Sequence, residues 1–196
     1  ENFTEDGLTS LTGQSPHSWG RYVVKELVDN ALEAVEGTAD PSVTVRVWHS
    51  GGVRSFVRAV EVEDNGAGIG EEALRQIADP EAFGGTKRHY ALPTRGTQGN
   101  ALMTIVGIQH LATESEPGCG PLRIRTRGTE YTLPVQESTL EGVPSVQLCR
   151  EGASDVEGTA VRVAFGRKAN RWANELSIRR TLWGFGALNP HVRLVV

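Results

Sequence analysis

The sequence has few cysteines and no long apolar run. Only Cys119 and Cys149 occur among its 196 residues, which excludes a scaffold held by several disulfides and a zinc site built from several cysteines. No apolar run approaches the roughly 18 residues that a membrane span needs. No charged and then apolar leader opens the sequence, so we expect a cytoplasmic protein without membrane contact. The hydrophobic share of 38% and the charged share of 22% are typical of a globular domain.

A large charge of one sign is also missing. The formal net charge is −4, which argues weakly against a surface that contacts nucleic acid over its whole extent. Between residues 162 and 193, however, basic residues outnumber acidic ones, because Glu175 is the only acid there. They are Arg162, Arg167, Lys168, Arg171, Arg179, Arg180 and Arg193. Such a stretch can hold a phosphate backbone, or it can be a solvated helix face.

Glycine is abundant, with 23 of 196 residues against a usual ~7%, and it separates segments of clear periodicity. Helices are predicted at about 17–36, 71–78, 101–111 and 169–184. Strands are predicted at 43–47 and 53–62, as a hairpin, and at 122–126, 130–135, 143–149, 159–165 and 192–196. Residues 79–100 show no sustained period and are predicted to form a long loop. The pattern predicts an α+β two-layer sandwich, with a mostly antiparallel mixed sheet and helices on one face.

Glu26 and Asn30 lie one turn apart on the first predicted helix. Asn30 falls within the apolar arc of this helix, and Glu26 lies at its edge. A carboxylate there can orient and deprotonate a water molecule, and an amide oxygen one turn later can bind Mg²⁺. A helix-edge acid beside a core asparagine bonded to backbone explains the same pair.

An acid and alternating glycines follow the predicted hairpin, in Asp64-Asn65-Gly66-Ala67-Gly68-Ile69. Glycines let the backbone approach a flat ligand closely. The acid can then accept a hydrogen bond from an exocyclic amine. An ordinary strand-to-helix turn is the alternative interpretation.

A second glycine-bearing segment precedes the helix at 101–111, in Arg95-Gly96-Thr97-Gln98-Gly99-Asn100. Backbone N–H groups at a helix N-terminus form an anion site together with the helix dipole. The segment lacks the Gly-Lys-Ser/Thr of a P-loop and does not match the dinucleotide fingerprint. Lys87, in the same long loop, could add a positive charge to a phosphate or could be solvated.

In this chain order, the segments resemble the boxes of the GHKL ATPase superfamily, which includes gyrase, heat-shock chaperones, histidine kinases and MutL. Glu26–Asn30 resembles the first box, Asp64–Ile69 the second, and Arg95–Gly99 the lid box. Gly158-Thr159-Ala160-Val161 resembles the later Gly-Thr strand, whose threonine supports the adenine-binding acid. The resemblance implies the Bergerat-type ATP-binding fold.

Within this superfamily the sequence is most similar to the B subunit of topoisomerase VI. The similar stretches span nearly the whole sequence, at 22–34, 84–89, 94–99 and 178–191. The last stretch ends in Asn189-Pro190-His191, which resembles the end of a helix in that family. Neither the chaperones nor the kinases have this ending.

The resemblance implies ATP hydrolysis with Mg²⁺. It implies that Glu26 activates the water, that Asn30 holds Mg²⁺ across the phosphates, and that Asp64 binds the adenine amine. Thr159 and Gly68 would lie beside Asp64. The other nucleotide contacts that it implies are Gly66, Ile69, Lys87, Arg95, Gly96, Thr97, Gln98, Gly99, Asn100 and Ala101.

The resemblance also implies a homodimer that forms on ATP binding through exchanged N-terminal segments and acts as a gate for DNA. A separate A-like subunit would cleave the DNA, which this protein would touch indirectly or through the basic stretch, in association with the nucleoid. We expect residues 1–15 to be such an exchange arm or a frayed terminus, and 16–166 to be the ATP-binding domain. Residues 167–196 would lead toward a transducer region, which the sequence lacks. We therefore expect an ATPase fragment, or a variant whose switch element lies elsewhere.

Departures from the family pattern favour an alternative function. Thr97 occupies the first glutamine position of the lid, and Asn100 and Ala101 occupy positions that usually hold an aliphatic residue and a further glycine. The alternative is an ATP-binding conformational switch with little turnover, in a topoisomerase-like assembly or a defence complex. A chaperone or a histidine kinase fits the shared boxes but not the Asn-Pro-His ending.

Overall fold

A seven-stranded sheet forms the centre of the protein. The computed structural model describes residues 3–51, 55–78, 100–114, 116, 119–137 and 144–196. Its strands are β1 (Ser42–His49), β2 (Val57–Asp64), β3 (Leu122–Thr126), β4 (Thr129–Leu133), β5 (Val135–Glu137), β6 (Pro144–Val146), β7 (Cys149–Ala153), β8 (Thr159–Ala164) and β9 (Arg193–Val195). The large sheet has the order β7-β4-β3-β8-β2-β1-β9, and β5 pairs separately with β6. Only β1 and β9 run parallel among these pairs of described strands.

The alternation along the strands assigns one face of the sheet to the core and the other to solvent. In β2, Val60 and Val62 are buried in the hydrophobic core. The intervening Glu61 lies on the opposite face, where it forms ion pairs with Arg46 and Arg125 at 3.1 and 3.0 Å. A one-sided apolar face is what a helix layer covers.

The helices supply the other half of this core. They are α1 (Glu5–Thr12), α2 (Trp19–Ala34), α3 (Glu71–Ala78), α4 (Asn100–Thr113) and α5 (Glu175–Leu188), with a 3₁₀ turn at Pro16–Ser18 before α2. Helix α2 buries a continuous apolar stripe: Trp19, Gly20, Val23, Val24, Leu27, Val28 and Ala31. The predicted α+β fold with a mostly antiparallel sheet is confirmed.

The N-terminal segment differs from the sequence expectation, because residues 5–12 form helix α1. Thr4 caps the helix by accepting a hydrogen bond from the Gly7 N–H at 3.1 Å, and Gly13 ends it with φ +62°. Leu8 is fully buried, and α1 packs against α4. A frayed terminus is therefore wrong for residues 5–12. Exchange of this segment between subunits stays a prediction.

The last helix begins and ends later than predicted. Asn174 caps α5 by accepting a hydrogen bond from the Ser177 N–H at 3.0 Å. The predicted first turn around Ala169 is instead a series of turns that packs on α2, where the Gly20 N–H donates to the Trp172 carbonyl at 2.7 Å. The helix also continues through Gly184 and Gly186 to Leu188, although glycine has a weak helix propensity, and Phe185 between the two glycines packs against the core.

Two predicted strands are each divided in the structure. Pro134 separates β4 from β5, because proline has no N–H for a sheet hydrogen bond. The run predicted at 143–149 gives β6 and then β7, which continues to Ala153. Of the loop predicted at 79–100, residues 79–99 lie outside the described residues, and Asn100 is instead the first residue of α4. Among the described residues, no helix combines the length and apolar character needed to cross a bilayer.

Candidate functional site

Three polar side chains lie in one row at the end of the central strands. Asp64 ends β2 and is paired in register with Thr159 of β8, and Thr159 is paired with Thr126 of β3. Asp64 lies two residues after Val62, and Thr159 lies two residues before Val161. Their side chains therefore point to the same face of the sheet as these core valines, the face that the helices cover. The sequence singled out Asp64 and Thr159, and the register places them side by side.

Asp64 is a buried carboxyl group, with only 8% of its surface exposed. Burial raises its pKa from 3.8 to about 6, because desolvation disfavours the charged form. Backbone N–H groups of Gly66 and Thr159 oppose this shift, and Glu63 adds to it. The Gly66 N–H donates to Asp64 Oδ1 at 2.8 Å. A buried carboxylate near the end of a strand is suited to accept a hydrogen bond from a ligand amine.

Thr126 is the residue of this row that sequence reasoning missed. Its side chain is buried, and its hydroxyl donates to the Gly158 carbonyl and accepts from the Ile69 N–H, both at 2.8 Å. It also lies 3.4 Å from the Thr159 hydroxyl. One hydroxyl thus joins the second glycine box to the Gly-Thr strand. The only signal in the sequence was a threonine at a predicted strand end, which is common.

The glycines of the second box allow close contacts within the protein. A Cβ on Gly66 would lie 2.3 Å from the Ala34 carbonyl oxygen at the end of α2. Gly68 has φ +72°, and a Cβ there would lie 2.9 Å from the Thr126 hydroxyl. The loop therefore needs these glycines to pack on α2 and β3, whether or not a ligand is bound.

Asn65 of the same box holds the loop to the start of β1. Its Nδ2 donates to the Asp40 carbonyl at 2.7 Å, and its Oδ1 accepts from the Ser42 N–H at 2.9 Å. Ile69, also singled out from the sequence, is half-buried. The loop conformation is thus set by backbone contacts on both sides.

The first box, Glu26–Asn30, lies on α2. It ends one turn before Ala34, on which the second box packs. Glu26 is half-buried, with 22% of its side chain exposed. Tyr22 lies one turn earlier and hydrogen-bonds to Thr104 of α4. Burial raises the pKa of the Tyr22 hydroxyl, and the nearby charge of Glu26 raises it further. Glu26 therefore lies one turn after a residue of α2 that contacts α4.

Asn30 is exposed in the structure, which contradicts its expected place within the apolar arc. Helical periodicity fixes the direction of a side chain, but not whether another element lies opposite it at that height. Asn30 is one turn before Ala34, the residue that Gly66 packs on. Its amide makes no hydrogen bond with a described residue and is open to a ligand beside the second box.

Lys25 connects the two acids of the first box. Its Nζ lies 2.9 Å from Glu26 Oε1 and 2.8 Å from Asp29 Oδ2. Asp29, and to a smaller extent Glu26, raise the pKa of Lys25 above its usual range. The ion pairs hold the Glu26 carboxylate at the helix surface.

The lid box contributes one described element, the start of α4. Asn100 is the first residue of this helix and Ala101 the second, so their backbone N–H groups are among the first four, which lack intrahelical acceptors. Lys87, Arg95, Gly96, Thr97, Gln98 and Gly99 lie outside the described residues. Their predicted roles stay predictions.

The site is suited to Mg²⁺ only together with a phosphate ligand. In the described parts of the chain, no group of three or more His, Cys, Asp or Glu side chains is arranged to hold a metal ion. Asn30 offers one exposed amide oxygen, and Mg²⁺ is usually held by one or two protein ligands plus phosphate and water oxygens. The donor set therefore fits a metal that arrives with a nucleotide.

The basic C-terminal stretch does not form one surface. The Arg162 guanidinium lies 4.3 Å from the Trp48 ring, and Arg162 occupies the same alternation as Glu61 on the solvent face of the sheet. Arg179 and Arg180 lie on α5, in the helix layer, and Arg193 lies on β9. The seven basic residues therefore do not line a single path for a phosphate backbone.

Comparison with known proteins gives a family match over residues 19–139, to the histidine kinase-, DNA gyrase B- and HSP90-like ATPases. Two kinds of curated protein are similar in sequence to this chain. A DNA mismatch repair protein MutL from Listeria monocytogenes is 32% identical over 57% of this chain and 16% of its own length. The B subunit of a type 2 DNA topoisomerase 6 from Halobacterium salinarum is 29% identical over 87% of this chain and 21% of its own.

A solved structure supports the fold. The Aquifex aeolicus MutL ATPase domain complexed with ADP has a TM-score of 0.50 and 19% identity, over 88% of this chain and 56% of that one. At this identity the likeness shows a shared fold. The chain spans about a fifth or less of the length of these curated relatives.

Proposed function

Because the chain belongs to the family of histidine kinase-, DNA gyrase B- and HSP90-like ATPases, we propose that it binds ATP with Mg²⁺ and hydrolyses it. The observation that carries this proposal is the buried carboxyl of Asp64, placed in register between the second glycine box and Thr159. Burying an acid costs free energy unless a partner compensates. The exocyclic amine of adenine can be this partner, because the carboxylate can accept a hydrogen bond from its N–H group.

The row of Asp64, Thr159 and Thr126 would form the base end of the nucleotide site. An ionised carboxylate only accepts hydrogen bonds, whereas the hydroxyls can donate and accept. Adenine presents a donor amine next to an acceptor ring nitrogen, which this combination matches. Guanine presents a carbonyl at the place of that amine, so we expect ATP to bind more tightly than GTP.

The phosphates would lie between the exposed Asn30 amide and the start of α4. The first N–H groups of α4, including those of Asn100 and Ala101, would donate to phosphate oxygens, and the helix dipole favours negative charge there. Asn30 would hold Mg²⁺, with Lys87 and the segment Arg95–Gly99 closing over the nucleotide. Bound Mg²⁺ would neutralise phosphate charge and hold the phosphate oxygens in place.

Glu26 would orient and deprotonate the attacking water. It lies one turn before Asn30, and its carboxylate is half-buried, one turn after Tyr22, which contacts α4. Lys25 bridges Glu26 and Asp29, so Glu26 must leave or share this ion pair to accept a proton. Positioning and electrostatics supply most of the catalysis in phosphoryl transfer.

The whole-protein role that we propose is an ATP-driven dimerising gate of the topoisomerase VI B type, which acts with a DNA-cleaving A-like subunit. Its support is the similarity to a topoisomerase 6 relative over 87% of this chain. DNA would be contacted through the assembly, or through basic residues of the C-terminal stretch. The site would act in the cytoplasm, in association with the nucleoid.

A role of the mismatch-repair type is the second candidate, favoured by the MutL relatives at 32% identity. The two candidates differ in partner. Sedimentation of the ATP-bound protein with the DNA-cleaving partner of topoisomerase VI distinguishes them, because the first role requires a complex. Dimers that never bind this partner would favour the MutL-type role.

The first experiment is calorimetric titration of a non-hydrolysable ATP analogue with Mg²⁺, with the mass measured in parallel. We expect the wild type to bind and to double in mass, and Asp64→Asn to lose binding. The matched control is Asp155→Asn, whose side chain is 94% exposed. Absence of binding by the wild type would contradict the nucleotide site, and binding without dimers would contradict the gate.

Glu26→Gln separates the enzyme from the binding switch. Loss of a general base lowers turnover by about 100-fold or more, while the analogue affinity should stay within about threefold of the wild type. Glu72→Gln is the control, since that side chain is 76% exposed on α3. Equal loss of binding and turnover would contradict the assignment of the base. Wild-type turnover of only about one ATP per dimer would favour the switch.

A further inference from the structure

The hairpin between β3 and β4 contains an arginine in an unfavourable backbone conformation. Arg127 has φ +47° and is the only non-glycine residue with positive φ among those described. Gly128 follows it with φ +72°. Two-residue hairpin turns of this kind favour Asn, Asp or Gly at the first position, because a Cβ is disfavoured there.

The Arg127 side chain lies along the second glycine box. Its Nε donates to the Ala67 carbonyl at 3.0 Å. A Cβ on Gly68 would lie 2.7 Å from Arg127 Cγ, and one on Gly70 would lie 3.3 Å from a guanidinium nitrogen. The Arg127 backbone N–H donates to the Glu157 carbonyl at 3.2 Å, so the residue joins this loop to the approach of Thr159.

Stability of the fold does not explain an arginine at this position. Arg127 is exposed, and within the described residues it forms no ion pair with a carboxylate. One exposed hydrogen bond contributes little to stability, whereas a strained backbone conformation opposes it. Strained residues of this kind concentrate at functional sites.

The Ala67 carbonyl lies between two loop amides that are already held. The Gly66 N–H donates to Asp64 Oδ1 and the Ile69 N–H donates to the Thr126 hydroxyl, both at 2.8 Å. The Arg127 bond fixes the peptide between them. It is thus a further restraint on the segment that carries the Gly66 N–H, the group that holds Asp64 Oδ1.

We propose that Arg127 is a positioning residue for the base end of the nucleotide site, acting through the Ala67 carbonyl on the loop that orients Asp64. This inference rests on the proposed function. If Arg127 acts on base recognition and not on the phosphates, its removal should lower the affinity for ATP and for ADP by the same factor. The selectivity for ATP over GTP should also fall.

The test compares Arg127→Asn, Arg127→Lys and the wild type by calorimetry with the ATP analogue, ADP and a GTP analogue. Asparagine accepts positive φ, so Arg127→Asn keeps the turn and removes the guanidinium. We expect its affinity for both adenine nucleotides to fall by about five- to tenfold, with an unchanged or higher melting temperature without nucleotide. Arg127→Lys keeps the charge but not the Nε donor, and should behave like Arg127→Asn. Arg179→Asn, on the exposed side of α5, is the control.

Wild-type affinity and selectivity in Arg127→Asn would overturn the inference. A lower melting temperature with an unchanged ratio of ATP to GTP affinity would also overturn it, because that result describes a structural role. A loss confined to ATP, with ADP unaffected, would place Arg127 at the phosphates and overturn it as well. If the wild type binds no nucleotide, the proposed function fails first, and the two failures are thereby distinguished.

Discussion

Among single residues, the buried Asp64 carboxyl opposes folding at neutral pH. Its pKa is raised from 3.8 to about 6, so the folded protein binds this proton more tightly than the unfolded chain. The stabilisation that comes from the protonated form is complete below pH 3.8 and is lost as the pH rises through about 6. A residue kept at such a cost is a candidate for function.

Asp64→Asn is therefore expected to stabilise the unliganded protein at pH 7, by up to about 3 kcal/mol. Asparagine has a neutral side chain of the same shape whose oxygen can still accept from the Gly66 N–H, but its NH₂ group cannot accept from the Thr159 N–H, which keeps the gain below this bound. The gain should disappear by pH 4, where the wild-type carboxyl is protonated. Urea unfolding at both pH values measures this difference. The same gain at pH 4 and pH 7 would contradict the pKa argument.

Several residues of the site were predictable from local pattern. Asp64 follows a strand and precedes alternating glycines, so its place at a strand end was foreseeable. Thr126 was not, because its role depends on the pairing of β3 with β8 across a long stretch of sequence. The exposure of Asn30 likewise depends on what lies opposite α2. The roles of the site residues stay predictions.

Between elements, the contact of the second glycine box with the end of α2 decides the geometry of the site. Gly66 packs on Ala34, one turn after Asn30. This contact brings the first and second boxes together, although more than thirty residues separate them in sequence. Gly66 has no positive φ, so its need for glycine is a matter of space and not of backbone conformation.

Gly66→Ala is expected to destabilise the protein by about 1–3 kcal/mol, because the new methyl would overlap the Ala34 carbonyl. Gly184→Ala is the matched substitution, since nothing lies within 4 Å of a Cβ at that position in α5. It should stabilise the protein by up to about 1 kcal/mol. Urea midpoints measure both. A similar effect of the two substitutions would contradict the close approach at Gly66.

Element boundaries were predictable where local chemistry sets them. Helix α3 was predicted with the bounds that the structure gives, Glu71–Ala78. Helix α5 was predicted too early, because residues 169–173 form turns, and Trp172 and Ala173 pack against Gly20. Helix α1 was missed although its Thr4 cap and Gly13 end are visible signals.

In the whole molecule, a nucleotide at this site would join the sheet, α2 and α4, and ligand binding adds to stability by mass action. At an analogue concentration about 100 times the Kd, the gain is about 2.7 kcal/mol. For a domain of this size that raises the melting temperature by about 5–10 °C.

We expect this rise in the wild type and in Glu26→Gln, and not in Asp64→Asn. The reason is that Glu26 acts on the water, whereas Asp64 is a contact of the nucleotide itself. Scanning calorimetry with and without the analogue measures the shift. Loss of the shift in Glu26→Gln would mean that this carboxylate contributes to binding, contrary to its proposed role.

The sequence by itself determined the sandwich of sheet and helices, because this follows from local periodicity and turn chemistry, and it indicated the family through the resemblance of its short motifs. Only the tertiary structure decided that Thr126 joins the glycine box to the Gly-Thr strand, that Arg127 lies on the Ala67 carbonyl, and that the basic stretch is divided between the solvent face of the sheet, α5 and β9. These features depend on the register of strands far apart in sequence and on which face of each element is covered. Local pattern carries neither.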